Sequence, residues 1–275
     1  MEEVVSLSTS IDALDYNMNH PRRGLCLIFD NEKFDHPSQK LSPRTGSHVD
    51  SNALFGVFRT LDFDVRVFKD LSASAIKKQL KAYGSLDHSQ SDCFACCVLT
   101  HGEHGNLYGS DGSRYPIDLL FSEFLGHKCP SLVGKPKLFF IQACQGDRFD
   151  RGVMVTGGDS LDTATYFRIP TYADFLICYS TLPGFYSWRN TQDGSWFIQA
   201  LVRVLTEYSS KLDLLSMMTI TSHQVAYKYT SNATTPEFSQ KKQVPCITSM
   251  LTRRIYFPQK RIGNQYNNQH YIRSV

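Results

Sequence analysis

Residues 137–146 read KLFFIQACQG, an apolar run that ends in a cysteine, a glutamine and a glycine. A second run, FACCVLTHG at residues 94–102, ends in a histidine and a glycine. Because apolar runs of this length are typical of strands buried on both faces, the two stretches predict central strands of a parallel sheet. Cys144 and His101 then lie just beyond the carboxyl ends of these strands.

Similar runs recur along the chain and alternate with segments of helical spacing. Strands are predicted at residues 25–29, 63–68, 94–100, 137–143, 173–180 and 246–257. Helices are predicted at residues 47–61, 73–83, 116–125, 195–208 and 213–228. This alternation favours an α/β fold with a largely parallel six-stranded sheet, whose functional residues collect where strands end.

The bulk composition is that of one ordinary globular domain, with 275 residues, 41% hydrophobic and 20% charged. The formal charge of +3 comes from 29 basic and 26 acidic side chains that are intermixed, so no nucleic acid and no membrane surface is expected as a partner. The N-terminal MEEVVSLS is acidic, and no apolar run reaches the roughly 20 residues that span a bilayer. A cytoplasmic location is therefore expected.

Most of the eight cysteines lie inside apolar stretches and are expected to be buried thiols, with Cys144 as the exception. Cys93 and Cys96 have CxxC spacing, but no second pair follows at zinc-site distance. No metal and no cofactor is expected.

Three segments carry no helix or strand periodicity. Residues 1–20 and 258–275 are polar and expected to be disordered, and residues 147–168 are rich in glycine and aspartate, which predicts a long exposed loop.

Cys144 and His101 are candidates for nucleophile and general base, because a thiol attacks a peptide carbonyl only as a thiolate. The backbone N–H groups of Gly102 and Cys144 are candidates to stabilise the resulting oxyanion. Taken singly, Cys144 is better explained as a core thiol and His101 as a surface histidine. QACQG at 142–146 together with THG at 100–102 favours the catalytic interpretation.

QACQG, preceded by the strand that ends in His101 and Gly102, resembles the caspase family of cysteine proteases that cleave after aspartate. The resemblance covers residues 21–257 and is strongest to insect-like executioner caspases with short propeptides. It implies a caspase-like three-layer sandwich. Further matching motifs are PRTGSHVD (43–50), GKPK (134–137), ADFL (173–176), YSWRN (186–190), GSWF (194–197), KKQVPC (241–246) and SMLT (249–252).

The resemblance assigns Arg44, Gln142 and Arg189 to the pocket for the aspartate side chain. Such a pocket needs charged donors, because a carboxylate leaves water at high cost unless it is paired. The resemblance also places a main-chain carbonyl near Ser42 beside the base.

The resemblance further implies that aromatic residues wall the neighbouring subsites. Asn190 and Trp196 would shape the subsite for a second aspartate three residues upstream, which implies a DxxD preference. The backbone of Ser187 and Arg189 would pair with the substrate as an added strand. The remaining candidates at these subsites are Tyr186, Trp188 and Phe238.

By the same resemblance, residues 1–20 are a short propeptide, 21–159 a large-subunit segment and 160–257 a small-subunit segment, with 147–168 as linker and 258–275 as polar tail. Cleavage is expected after Asp159 or Asp162. Cleavage after Asp12 would expose Ala13 to inhibitor-of-apoptosis proteins. An upstream initiator caspase would activate the chain, and two copies would pair as a homodimer through residues 245–257. Protein substrates with accessible aspartates complete the expected partners.

Two alternatives stay open at this point. In the first, the chain is a catalytically silent scaffold or decoy with a caspase fold. In the second, it is a metacaspase or legumain-like protease that cleaves after basic or amide residues. The arginines expected in the pocket oppose the second alternative, because a basic substrate would meet like charge.

Overall fold

A six-stranded sheet lies at the centre of the chain, and helices cover both of its faces. The computed structural model describes residues 8–34, 41–145, 170–190, 192–231 and 238–260. In chain order its elements are β1 (Leu25–Asp30), α1 (Ser47–Thr60), β2 (Asp64–Lys69), α2 (Ala73–Gly84), β3 (Phe94–Leu99), β4 (Gly102–Glu103), β5 (Asn106–Tyr108), β6 (Arg114–Pro116), α3 (Leu119–Ser122), a 3-10 turn (Pro130–Leu132), β7 (Lys137–Gln142), β8 (Phe175–Tyr179), β9 (Arg189–Asn190), β10 (Gly194–Ser195), α4 (Trp196–Tyr208), α5 (Leu214–Lys228) and β11 (Cys246–Ser249).

The sheet has the strand order β11-β8-β7-β3-β1-β2. Every neighbouring pair is parallel except β11, which runs antiparallel to β8. This arrangement confirms the predicted α/β class and the mostly parallel sheet. The first five predicted strands and four of the five predicted helices match the structure within two residues at each end.

The central strands are uninterrupted apolar runs because both of their faces are buried. On β3, Cys97 and Leu99 join the layer formed with α1, α4 and α5, whereas Cys96 and Val98 join the layer formed with α2 and α3. Six of the eight cysteines are buried, as expected, and four of them, Cys26, Cys96, Cys97 and Cys178, lie on strands of the central sheet. Besides Cys144, Cys246 on the outer strand β11 is half-buried, which the sequence did not indicate.

The predicted helix at 116–125 is wrong in its length, since α3 is a single turn, Leu119–Ser122. Pro116 is instead paired with Asn106 in the small β5–β6 sheet. Beyond the turn, the amide of Phe124 bonds to the carbonyl of Phe121 at 2.9 Å, a three-residue spacing that is too tight for a continued α-helix.

The predicted strand at 246–257 is wrong beyond Ser249, where β11 ends. The Met250 amide still bonds to the Phe175 carbonyl on β8 at 2.8 Å, but beyond it Arg254 finds its backbone partners outside the sheet. Arg254 accepts a hydrogen bond from the amide of Tyr16 at 3.0 Å and donates its own amide to the carbonyl of Leu14 at 2.9 Å. The apolar residues that suggested a longer strand, Ile255 and Phe257, are buried in the core without pairing in the sheet.

The disorder expected for residues 1–20 is wrong for residues 8–20, which pack on the domain. Tyr16 and Met18 are buried, and the hydroxyl of Tyr16 donates to Asp174 Oδ1 at 2.7 Å. The sequence could not indicate this segment's order, because the partners that tie it to the rest of the domain lie 72 or more positions away.

The polar tail also begins with ordered residues. Lys260 Nζ lies 2.5 Å from Asp92 Oδ2, and the same buried carboxylate binds Arg23 at 2.9 Å. Residues 261–275 and the predicted loop at 147–168 lie outside the described residues. Among the described helices, none combines the length and the apolar character needed to cross a bilayer.

Candidate active site

The register of β3 and β7 brings the two reactive side chains to the same edge of the sheet. Leu99 pairs with Gln142, and the amide of Thr100 bonds to the carbonyl of Gln142 at 3.2 Å. His101 and Cys144 each follow two residues after this aligned pair. The parallel pairing of the two apolar strands is therefore what places a histidine beside a cysteine that lies 43 positions further along the chain.

Gly102 makes the close approach between the two strand ends possible. A Cβ at this position would lie 2.5 Å from the Cys144 carbonyl oxygen and 3.0 Å from Cβ of Ala143. Real Cβ atoms do not approach a backbone oxygen so closely, so only glycine fits without a shift of the Cys144 backbone.

We therefore expect Gly102→Ala to lower kcat/KM by about 10²-fold, because a shift of about 1 Å in catalytic groups costs this much. The measurement is hydrolysis of a peptide with aspartate at the cleaved position, with thermal unfolding recorded in parallel. Gly56→Ala is the matched control, since a Cβ on Gly56 in α1 meets nothing within 4 Å. Equal kcat/KM values for the two variants would contradict the close-approach argument.

The imidazole of His101 is held on two sides. Its Nε2 lies 2.7 Å from the carbonyl oxygen of Ser42, which can only accept, so Nε2 carries the proton and Nδ1 is left as the acceptor. The Phe34 ring packs against the imidazole with ring centroids 4.7 Å apart. Burial, and then the charges of Arg44 and Arg189, lower the pKa of His101, although the bond to Ser42 acts in the opposite direction.

The thiol of Cys144 is half-buried, and its Sγ lies 3.9 Å from the carbonyl oxygen of Ser187. Burial raises the pKa of Cys144, whereas the hydrogen bond with Ser187 and the charges of Arg44 and Arg189 lower it. Because the thiol pKa is raised and the imidazole pKa is lowered, both groups are neutral at pH 7.

Arg44 is 3% exposed and stands on the loop that leads into α1. Its Nη1 donates to Ser47 Oγ at 2.6 Å and to the Asn31 carbonyl at 3.3 Å. Ser47 in turn donates to Asp30 Oδ1 at 2.5 Å. Burial, together with the charge of Arg189, lowers the pKa of Arg44 to about 10, so the guanidinium keeps its charge at pH 7.

Gln142 and Arg189 lie beside Arg44. The side chain of Arg189 donates to the carbonyl of Thr45, the residue next to Arg44. Gln142 is buried, and its Nε2 donates to Ser187 Oγ at 2.8 Å. Within the described residues, the Oε1 atom of Gln142 is buried without a hydrogen-bond partner. The structure thus gathers the three predicted pocket residues around Cys144.

Three of the four predicted aromatic residues lie in a continuous row of ring contacts that ends at Tyr229. The ring of Tyr186 meets Trp188 edge to face at 5.1 Å, Trp188 stacks on Trp196 at 5.7 Å, and Trp196 stacks on Tyr229 at 5.5 Å. Phe238 is 38% exposed, and its carbonyl accepts a hydrogen bond from Ser231. Its place in a substrate subsite stays a prediction.

The hairpin β9–β10 carries Arg189 and Asn190 and is anchored to α1. Asp50 Oδ1 accepts from the Ser195 amide at 2.8 Å, and Asp50 Oδ2 accepts from the Ser195 hydroxyl. Gly194 has a φ of 94°, and a Cβ there would lie 2.3 Å from Asp50 Oδ1. Burial raises the pKa of Asp50, and the bonds from Ser195 oppose this shift.

Several residues that support the site were not identified from the sequence. Gln243 accepts from the Trp188 amide at 2.7 Å and donates to the Ser180 carbonyl at 2.6 Å, so it fixes the strand expected to receive substrate. Asp50 stood in a matching motif, but nothing in the sequence assigned it a contact with Ser195. The other supporting residues are Asp30, Phe34, Ser47 and Tyr229.

The three candidate processing aspartates are only partly described. Asp12 is exposed in a turn, where the Ala13 amide bonds to the Ser10 carbonyl at 3.1 Å. Arg253 holds this turn by donating to the carbonyls of Ser10 and Ile11. Asp159 and Asp162 lie outside the described residues.

Comparison with known proteins gives a consistent family. The Caspase domain family model matches residues 23–256. Caspase-1 of Drosophila melanogaster is 47% identical over 260 residues, covering 92% of this chain and 79% of that protein. Caspase-7 of Gallus gallus is 43% identical over 247 residues, covering 88% and 79%. The crystal structure of Caspase-1 from Spodoptera frugiperda superimposes with a TM-score of 0.87 at 46% identity, covering 94% of this chain and 98% of that one.

Proposed function

The chain belongs to the caspase family and is a cysteine-type peptidase, and from this premise we propose that it cleaves peptide bonds after aspartate, with a preference for DxxD sequences. The observation that carries the proposal is the pair of guanidinium groups beside the half-buried thiol. Arg44 is buried with its charge kept, and Arg189 reaches the carbonyl of the adjacent Thr45. A substrate carboxylate entering here would exchange water for charge-assisted hydrogen bonds.

The proposed reaction starts from a neutral thiol and a neutral imidazole. Nδ1 of His101 takes the Cys144 proton as Sγ bonds to the carbonyl carbon of the substrate, and the N–H groups of Gly102 and Cys144 bind the oxyanion. When the C–N bond breaks, the imidazolium gives its proton to the leaving amine. Water then attacks the thioester carbonyl as His101 accepts one of its protons, the C–S bond breaks to release the acid, and the imidazolium returns the proton to the Cys144 thiolate.

Substrate would bind as an added strand along the backbone of Ser187 and Arg189. Because main-chain hydrogen bonds fix register without reading side chains, specificity falls to the pocket of Arg44, Gln142 and Arg189 and to the row of aromatic rings. The immobilised Trp188 amide, held by Gln243, supports this arrangement.

Regulation by proteolysis is part of the proposal. Cleavage after Asp159 or Asp162 by an upstream initiator caspase would activate the chain, which would act as a cytosolic homodimer in programmed cell death. Cleavage after Asp12 would expose Ala13 to inhibitor-of-apoptosis proteins. The exposure of Asp12 supports access by a protease. The position of β11 at the outer edge of the sheet supports pairing between two copies. No observation favours a catalytically silent decoy.

The test uses three peptides that are identical except for Asp, Asn or Lys at the cleaved position. We expect kcat/KM for the Asp peptide to exceed that for the Asn peptide by about 10³-fold or more, because the isosteric amide cannot form a charge-assisted pair with the buried Arg44 or with the partly buried Arg189. The Lys peptide should not be cleaved. Faster cleavage of the Asn or Lys peptide would support the metacaspase or legumain-like alternative, and no cleavage of any peptide would support the decoy.

A further inference from the structure

Asp30 is a buried carboxylate that lies next to the proposed aspartate pocket. It is the last residue of β1 and is 1% exposed. Its Oδ1 accepts from the Ser47 hydroxyl at 2.5 Å, whereas its Oδ2 is buried and has no hydrogen-bond partner among the described residues. A buried charge is costly unless an opposite charge lies nearby, and Arg44 is a cation on which the charge of Asp30 acts.

The hydroxyl of Ser47 connects this carboxylate to the guanidinium of Arg44. Ser47 is the first residue of α1 and is fully buried. Its Oγ accepts from Arg44 Nη1 at 2.6 Å, so its single proton is free to be donated to Asp30. Because an opposite charge stands at each end, the hydroxyl is polarised and both hydrogen bonds are strengthened.

The bonds made by Nη1 decide which edge of Arg44 a substrate meets. Nη1 also donates to the Asn31 carbonyl at 3.3 Å, so both of its protons are used. Asn31 is itself fixed, because its side chain accepts from the Leu71 amide and donates to the carbonyls of Leu71 and Tyr108. In the part of the chain that the structure describes, Nε and Nη2 of Arg44 have no partner. This edge can bind a carboxylate through two parallel hydrogen bonds.

Asp30 differs from Asp50, the other carboxylate near Arg44. Burial and the charge of Arg189 lower the Arg44 pKa, and the charges of Asp30 and Asp50 both raise it. The two oxygens of Asp50 are occupied by the amide and hydroxyl of Ser195. Asp50 therefore anchors the β9–β10 hairpin, whereas the one side-chain hydrogen bond found for Asp30 within the described ranges leads through Ser47 to Arg44.

We propose that Asp30 is a positioning residue for aspartate specificity. Through Ser47 it holds Nη1 of Arg44, so that Nε and Nη2 are presented to the substrate carboxylate. The inference rests on the proposed function and deepens it, because Asp30 acts on the substrate only through Arg44. Without this chain of bonds the guanidinium loses the contact that orients its planar fork, and the loss falls on recognition of the aspartate side chain.

The test measures kcat/KM for the Asp and Asn peptides and takes their ratio, since damage to the fold would lower both values. We expect Asp30→Ala and Ser47→Ala each to lower the Asp to Asn ratio by roughly tenfold, the order of effect of one hydrogen bond to a charged group. The double variant should lose no more than the larger single loss, because both residues act through one chain of bonds. Additive losses would contradict this chain.

Two further variants separate positioning from general damage. Asp30→Asn keeps an oxygen acceptor for Ser47, and its ratio should stay within threefold of the unaltered chain. Ser51→Ala is the matched control, since Ser51 is equally buried on α1 but donates to the His48 carbonyl, and its ratio should not change.

Thermal unfolding recorded for every variant identifies one that fails to fold, and Ser47→Ala carries the test if Asp30→Ala does so. An unchanged ratio in Ser47→Ala, equal losses in Asp30→Asn and Asp30→Ala, or the same loss in Ser51→Ala would overturn the inference while leaving cleavage after aspartate intact. An unaltered chain that does not prefer the Asp peptide would overturn the proposed function and this inference with it.

Discussion

Replacing Cys144 by alanine should lower peptide hydrolysis by on the order of 10⁴- to 10⁶-fold, because no other group can form the thioester. Replacing His101 by alanine should cost about 10²- to 10⁴-fold, since the thiol then has no positioned base. The loss expected for His101→Ala follows from the protonation state of the free enzyme, in which the Cys144 thiol is neutral. Burial raises the pKa of Cys144, so little thiolate forms at pH 7 without the imidazole.

The double variant provides the sharper measurement. If the two groups act as a unit, the loss in Cys144→Ala with His101→Ala should equal the loss in Cys144→Ala alone, because the base has no thiol left to activate. Cys246→Ala is the matched control, since Cys246 is the other half-buried cysteine and lies on β11. Additive losses, or equal losses from Cys144 and Cys246, would show that another nucleophile carries the reaction.

Much of the fold was predictable from the sequence because its central strands are continuous apolar runs. FACCVL and KLFFIQ are buried throughout, and few alternatives exist for such runs in a chain of this composition. A local interaction likewise sets the start of α5, where Asp213 caps the helix by accepting from the amides of Leu215 and Ser216, at 3.0 and 3.2 Å. These features depend on neighbours within a few positions.

Two of the errors share a different cause, which is dependence on distant partners. Residues 8–20 are ordered because Tyr16 reaches Asp174, and the segment after Ser249 leaves the sheet because Arg254 pairs with residues 14 and 16. Neither partner is indicated by local composition. The short helix α3 has a nearer cause, since Pro116 pairs with Asn106 in the local β5–β6 hairpin.

In the candidate site, too, the sequence indicated the residues that carry chemistry but not the residues that hold them in place. Cys144, His101, Arg44, Gln142 and Arg189 stand in motifs whose residue types already suggest chemistry. The residues that hold them do not. Gln243 is one glutamine among many until its amide is found between Trp188 and Ser180. The carboxylates of Asp30 and Asp50 similarly acquire a role only through Ser47 and Ser195.

Arg44→Gln should lower kcat/KM for the Asp peptide by about 10²- to 10⁴-fold, while the loss for the Asn peptide should be within tenfold. The substrate carboxylate would be buried with only one of its two cations, and truncating one partner of a buried charge pair costs roughly 2–5 kcal/mol. Arg66→Gln is the matched control. Arg66 pairs with the half-exposed Asp64 at the far edge of the sheet, where an ion pair is worth about 0–1 kcal/mol.

A pH titration separates this role in the pocket from a purely structural one. Burial is the largest cause of the lowered His101 pKa, and the charge of Arg44 lowers it further, so removing that charge should raise the His101 pKa toward its ordinary value. Activity requires the neutral imidazole. The acid limb of the pH profile of kcat/KM should therefore move to higher pH in Arg44→Gln. NMR titration of His101 in a Cys144→Ala background measures the shift directly. Arg44→Lys is the control: it keeps the positive charge and should leave the His101 pKa low, although it loses the planar guanidinium that binds a carboxylate through two hydrogen bonds. An unchanged His101 pKa in Arg44→Gln would show that the charge of Arg44 does not act on the imidazole.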